Sequence, residues 1–455
     1  MRAGSPRLLR EINDRAAIEM LLRHGPLTRA ELESLIGLSK PATAQLLTRL
    51  ENSNTVLRAG LRGGARGPRS QLWTVNGALA HVAGVDLTPQ AVDVAIADIT
   101  GAVLTEHHAA MPKGGNTAEV LRAFVDAVRT AAGQAGLDLD ALHHVVVGSP
   151  GAVDPATGKL GFAPHLPGWE GFDLPGRLRD LLGAPVTVEN DVNLVALEEM
   201  IAGRAQHVRD FVLVWPADAV GAAVVINRVV LRGATGGAGE IDGMFVPDRA
   251  RADTGTDRAG TRFGDLLSSA AISKLARAHG LSARTGYGAV RRALTDGVAG
   301  REFLGDLARR IATGIAGMVS VLDPELVLLS GEISHAGGSL LCDLVAAELR
   351  RLVVPRTPVE LSLVTGKAVR SGALRSGLSV LREQVFGLPA DQHLPPPPPT
   401  TGTATTGTAT TSMPTTGMPT TGTASTGTAS TGPTGAGPSG ADTDVPPPPN
   451  GESPH

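Results

Sequence analysis

The sequence predicts an α/β protein in three parts: a small helical head closed by a β-hairpin, a two-lobed body, and a low-complexity tail. Three observations lead there. Apolar residues recur at helical spacing through the first 52 positions and then give way to two strand-like runs. From about residue 79, three strands precede each group of helices, twice over. Beyond about Gly387 large apolar side chains become rare. The boundaries fall at 1–78, 79–387 and 388–455, with lobes at about 79–190 plus a C-terminal helix, and 191–370.

In the head, "INDRAAIEMLLRH" puts Ile12, Ala16, Ala17, Met20 and Leu21 on one helical face and stops at Gly25-Pro26. "LTRAELESLIG" begins on Thr28, has Glu31 three residues on as a capping box, and stops at Gly37. "LSKPATAQLLTRLEN" begins on Ser39 with Pro41 in its first turn, and Ala44, Leu47 and Leu50 form its buried stripe. "TVLRAG" and "QLWTVN" are strands around the glycine-rich tip "LRGGARGPRS". Three helices and a hairpin in this order make a winged helix-turn-helix. Lys40, Thr43 and Gln45 lie off the stripe and are candidates for base edges or phosphates in the major groove. Arg62, Arg66 and Arg69 at the hairpin tip suit phosphates or a narrow minor groove. The partner implied is double-stranded DNA, read as a two-fold symmetric operator by a dimer or tetramer.

In the body, "HVAGVDL", "AVDVAIADI" and "AVLTEHHAA" read as consecutive strands, followed by a helix at 117–132 and the strand "HHVVVG". A second set opens with "FVLVWP", "AAVVIN" and "VVLRG", followed by helices near 265–279 and 301–322 and the strand "ELVLLSG". Two such units imply two lobes with a cleft between them. In "VENDVNLV" a strand runs into a helix start, so Asp191 is either a helix-capping residue or an acid–base group.

After residue 387 come proline runs and near-repeats of Thr, Gly, Ala and Ser, which bury too little surface to offset ordering entropy; residues 388–455 are predicted to be disordered. The net charge of −3 is unevenly spread. Residues 1–78 carry twelve Lys and Arg against six Asp and Glu, a net of +6, leaving −9 for the remainder. A basic head on an acidic body points the head at a polyanion. The sequence has no run of about 18 apolar residues and no apolar signal core, so no membrane partner and a cytoplasmic location are expected. Cys342 is the one cysteine, which excludes an internal disulfide and a Cys-rich zinc site.

The body contains "GVDLT" at 84–88, "GSPGAVDPATG" at 148–158, "LPGWEGFDL" at 166–174, "VENDVN" at 188–193, "LRGATGGAGEID" at 231–242 and "LDPELVLLSG" at 322–331. In this order and spacing they resemble the ROK family, which joins sugar kinases and sugar-responsive repressors on an actin-like, ribonuclease-H-like fold. The resemblance spans roughly residues 8–385, and the head in front matches the layout of the repressor branch. It implies that Asp191 sits where the kinases keep the base that deprotonates a sugar hydroxyl. Asn190 and Glu240 match positions that hydrogen-bond sugar hydroxyls.

The phosphate cradle departs from the family pattern. Where the family has G-x-D-x-G-G-T, Thr88, Pro89 and Gln90 replace Gly-Gly-Thr, and proline has no N–H to give. "ADAVG" at 217–221 keeps one glycine of the second loop and adds Asp218, a charge that would repel phosphate. Asp86 is therefore read as a structural residue at a strand end. Gly243 replaces the family's histidine, and the following stretch to Leu267 has no Cys or His, so the family's zinc motif is absent. The expectation is a DNA-binding transcriptional regulator, a repressor, without catalytic residues, cofactor or metal, whose degenerate kinase-like body takes a carbohydrate effector at Asn190, Asp191 and Glu240. Two alternatives stand beside it: an ATP-dependent sugar kinase, and a DNA-binding dimer that needs no ligand.

Overall fold

A computed structural model describes residues 6–63, 69–114, 116–162, 173–247 and 260–388. Arg66 at the hairpin tip, most of "LPGWEGFDL" and the tail from residue 389 lie outside the described residues. The head consists of α1 (Pro6–His24), β1 (Leu27–Thr28), α2 (Arg29–Ile36), α3 (Lys40–Asn52), β2 (Val56–Arg62) and β3 (Ser70–Val75). Both predicted signals at α2 hold: Thr28 and Glu31 form a reciprocal capping box, and Gly37 closes the helix at φ 69°. The short β1 pairs antiparallel with β3, adding a third strand that two residues are too few to announce. α1 starts earlier than expected and buries Ala17, Ile18 and Leu21, while Ile12 is exposed.

Lobe I contains β4 (His81–Leu87), β5 (Ala91–Asp98), β6 (Val103–Ala110), α4 (Thr117–Gln134), β7 (Leu142–Ser149), β8 (Ala152–Val153), β9 (Leu160–Phe162), α5 (Leu174–Leu182) and β10 (Val186–Asn190). The helix α6 (Asp191–Ala202) leads to lobe II. There follow β11 (Phe211–Pro216), β12 (Val220–Ile226), β13 (Val229–Val230), β14 (Phe245–Pro247), β15 (Gly260–Arg262), α7 (Gly264–Leu267), α8 (Ser269–Ala278), α9 (Gly286–Ala293), α10 (Gly297–Leu322), β16 (Leu326–Leu329), α11 (Gly331–Leu352) and β17 (Val359–Leu361). A last helix, α12 (Ala368–Phe386), returns to lobe I.

The two main sheets share one topology. In lobe I the order is β10-β7-β4-β5-β6; in lobe II it is β13-β12-β11-β16-β17, the same order in mirror listing. Each is an antiparallel meander of three strands, to whose first strand two later strands add in parallel. The parallel strands read as near-continuous Val and Leu because helices cover both of their faces. α6 and α12 pack together on the inner side of lobe I, where Arg375 pairs with the mostly buried Glu198. Leu388, assigned by sequence to the tail, is instead 8% exposed and belongs to a cluster that also holds the head's core.

Candidate functional site

The head's charges are arranged in pairs. Each of its six acidic residues meets an arginine: Arg7–Glu11, Arg49–Asp14, Arg23–Glu19, Arg62–Glu31, Arg29–Glu33 and Arg58–Glu51. Three of these pairs are spaced i,i+4 and were readable from the sequence. Pairing removes six of twelve basic residues from the surplus. Lys40 and Gln45 are exposed on α3, and Arg69 is exposed at the base of the hairpin tip. Arg62 is committed elsewhere: it ion-pairs with Glu31 and donates to the Pro26 carbonyl at 3.0 Å, tying β2 to the start of α2.

Thr43 is a correction. It is 0% exposed, and its hydroxyl donates to the Ser39 carbonyl at 3.2 Å, so it cannot reach DNA. The buried stripe of α3 is Thr43, Leu46, Leu47 and Leu50, rotated from the predicted one by about one residue. A groove not foreseen runs beside α3, lined by Arg29 and Ala30 of α2, Ala44 and Thr48 of α3, and Ser70 and Gln71 of β3.

In the body, the β10–α6 corner answers the question that "VENDVNLV" poses. Helix capping falls to Asn190, whose Oδ1 accepts from the Asn193 N–H at 3.1 Å, while its Nδ2 donates to the Gly151 carbonyl at 3.1 Å. Both amide atoms of Asn190 are thus engaged. Asp191 is the first helical residue, with Oδ1 accepting from the Val192 N–H at 2.8 Å. Glu189 organises the corner from beneath. Only 3% exposed, it accepts from the Asn190 N–H and Asn193 Nδ2 at 3.0 Å each, and from Arg232 Nε at 2.7 Å. Arg232 begins the segment that leads to Glu240, so this buried pair fastens the lobe II side of the cleft to the lobe I side. Sequence reasoning missed it, because 43 residues separate the partners.

Asp191 stands near enough to both Glu240 and Asp86 to act on their charge. Burial, then Asp191, then Asp242 push Glu240 up to about 7. Burial, then Asp191, then Asp93 push Asp86 up to about 7, against the pull of Arg370. The structure therefore brings Asp191 and Glu240 together as the sequence implied, and adds Asp86, which is a cleft residue and not only a strand end. Near neutral pH such carboxyls can donate as well as accept hydrogen bonds, which suits hydroxyl groups, whereas their negative forms repel phosphate.

At the two phosphate positions several backbone N–H groups are engaged. Thr88 N–H donates to the Ala91 carbonyl at 2.9 Å and Ala91 N–H to Thr88 Oγ1 at 3.0 Å, so the β4–β5 turn satisfies itself. In the β11–β12 turn, Ala217 N–H donates to the Ala219 carbonyl at 2.9 Å and Val220 N–H to Asp242 Oδ1 at 3.0 Å. The Trp215 indole lies against the start of α11, so close that a Cβ on Gly331 would be 2.3 Å from its Nε1. These backbone N–H groups are already engaged within the protein, and the stretch after Glu240 lacks the ligands for a zinc site of the family's kind.

Two lobes of one topology around an acidic cleft define a two-lobed protein of the sugar-kinase-like, actin-like class. The ROK family model matches residues 82–383, and the chain belongs to that family. The xylose repressor of Caldicellulosiruptor bescii is 22% identical over 395 residues, covering 83% of this chain and 98% of that one. A crystal structure of a ROK family transcriptional regulator, a homologue of the E. coli MLC protein, superposes with a TM-score of 0.61 at 19% identity, covering 80% of this chain and 95% of that one. A ROK family glucokinase from Streptomyces griseus, solved with glucose and AMPPNP, gives a TM-score of 0.52 at 23% identity, covering 65% of this chain and 98% of that one. Relatives long enough to span head and body alike are named as xylose repressors and as the DNA-binding transcriptional dual regulator NagC, and the protein is a transcriptional repressor of the ROK family. Among the described residues, no helix is long and apolar enough to cross a membrane.

Proposed function

We propose that the head is a winged helix-turn-helix that binds a two-fold symmetric DNA operator, and that the body is a catalytically silent sugar-kinase fold holding a neutral, hydroxyl-rich effector. The protein would act in the cytoplasm as a homodimer or homotetramer, the arrangement a two-fold operator requires. Lys40, Gln45 and Arg69 are the described DNA contacts, with Arg66 beyond the described residues. Asp191, Glu240 and Asp86 form the effector site, and Asn190 contributes its one remaining amide proton.

The observation that carries this reading is the contrast within the cleft. The groups suited to sugar hydroxyls are gathered, while N–H groups of the turns suited to phosphates are taken up by other protein groups. Phosphoryl transfer needs that cradle as much as it needs a base. Effector binding would then change lobe closure and, through the dimer, the spacing of the heads. The names of relatives make xylose and other neutral sugars the first effectors to try.

Calorimetry with a panel of neutral sugars and with ATP checks both halves of the proposal. A sugar is expected to bind and ATP to give no heat. ADP release with common hexoses that disappears in Asp191→Asn would establish a kinase and end this reading.

A further inference from the structure

The segment between head and body is short and held at both ends. Asn76 accepts from Ala78 N–H, donates through Nδ2 to the Asn54 carbonyl at 3.0 Å, and through its own N–H to the Thr55 carbonyl at 2.9 Å. Gly77, one residue on, lies so close to lobe I that a Cβ there would stand 2.2 Å from Asp98 Oδ2. Ala80, at the end of this segment, is fully buried. No slack remains for a tethered head to swing.

A second attachment stands at the far end of the chain's fold. Arg382 of α12 donates to the carbonyls of Ile99 at 3.0 Å and Thr100 at 2.8 Å, pinning the end of α12 to the β5–β6 turn of lobe I. The helix then closes on Gly387 at φ 62°, where the Arg15 guanidinium of α1 lies so near that a Cβ would be 2.9 Å from its Nη2. A cation at a helix C-terminus is favourable, because the last carbonyls carry the negative end of the helix dipole. Phe386 and Leu388, on either side of Gly387, are buried in one apolar cluster with Ala17, Ile18, Leu21 and Trp73 of the head.

We propose that the last turn of α12, from Arg382 to Leu388, is a second fastening point for the head, with Arg15 as the positioning residue, so that operator recognition depends on the C-terminal end of the body. The head is then carried as part of lobe I, and a change in how lobe I packs in a dimer moves the recognition helix with it. This rests on the reading of the head as DNA-binding, so the test reads fastening and DNA binding separately.

The full chain is compared with Arg15→Ala and Gly387→Ala, the second of which disturbs the attachment without removing any charge. Hydrogen exchange of the amides at 77–80 reports fastening; anisotropy of a duplex selected from a random pool reports DNA binding. Both variants are expected to exchange about three- to tenfold faster at 77–80 and to bind the duplex about three- to tenfold more weakly. Unchanged exchange in both variants overturns the proposal. Weaker DNA binding in Arg15→Ala alone, with unchanged exchange, also overturns it and makes Arg15 a phosphate contact. If the wild type selects no duplex, the DNA reading fails, and the exchange arm still decides the fastening.

Discussion

The head and the cleft handle charge in opposite ways. In the head every acidic residue is matched with an arginine on or near the surface, and the net charge of the head is positive. In the cleft, carboxylates are gathered beside one another, and burial drives two of them up to about 7. The first arrangement suits a partner that is always a polyanion. The second suits a ligand with hydroxyls and no charge. The difference teaches that one chain can pair its acids with arginines in one region and crowd them together in another.

Pairs within the two regions should differ most in strength. Exposed pairs such as Arg7–Glu11 contribute about 0–1 kcal/mol each. Removing one partner of a buried pair leaves an uncompensated charge, so Glu189→Ala is expected to lose about 3–5 kcal/mol in urea unfolding. A loss below about 1 kcal/mol would mean that the Arg232–Glu189 pair does not hold the cleft corner.

Next in size are the effects on DNA. Lys40→Ala and Arg69→Ala should each weaken operator binding and reduce the slope of log K against log salt by about one. Arg58→Ala, which removes an arginine already paired with Glu51 and stacked 5.3 Å over Trp73, should leave the slope unchanged. Equal slopes for all three variants would erase the distinction between paired and surplus charge.

The cleft makes a smaller, pH-dependent contribution. Asp86 and Glu240 hold protons in the folded state up to about 7, well above their ordinary 3.8 and 4.5. Their contribution to stability is full below the ordinary values and is lost as pH rises through about 7. Asp86→Asn should therefore stabilise the protein clearly more at pH 8 than at pH 4. His144 works the other way: burial lowers it from 6.5 to about 4, so its contribution is lost as pH falls through that range. Urea curves at pH 4, 6 and 8 test both signs; a gain for Asp86→Asn that does not grow from pH 4 to pH 8 would contradict the cleft assignment.

The smallest expected change is at Thr43. Thr43→Val loses a buried hydroxyl bond worth about 1 kcal/mol and should leave DNA affinity unaltered, in contrast to Lys40 three residues away.

Thr43 also marks where sequence reading stops. Helix ends, the capping box and the three-strand openings of both lobes were legible, because each depends on neighbours in sequence. The rotation of α3 was not, since Thr43 is polar and its partner is the backbone one turn earlier. The residues Asn190, Asp191 and Glu240 were identified by motif. What holds them was hidden, because Arg232 and Gly151 reach the corner from distant segments. Asp86 was under-read for the same reason: its neighbours Asp191 and Arg370 are brought to it by the fold. Leu388 looked like the start of the tail because nothing in the flanking composition points to the head as its partner.

The most direct test of the whole account is operator affinity of the full chain, measured by anisotropy on a selected duplex, with and without neutral sugars. The expected result is salt-sensitive binding that one sugar shifts by at least about tenfold, the size of an ordinary allosteric coupling. Binding that no sugar shifts, or no selected duplex at all, would contradict it.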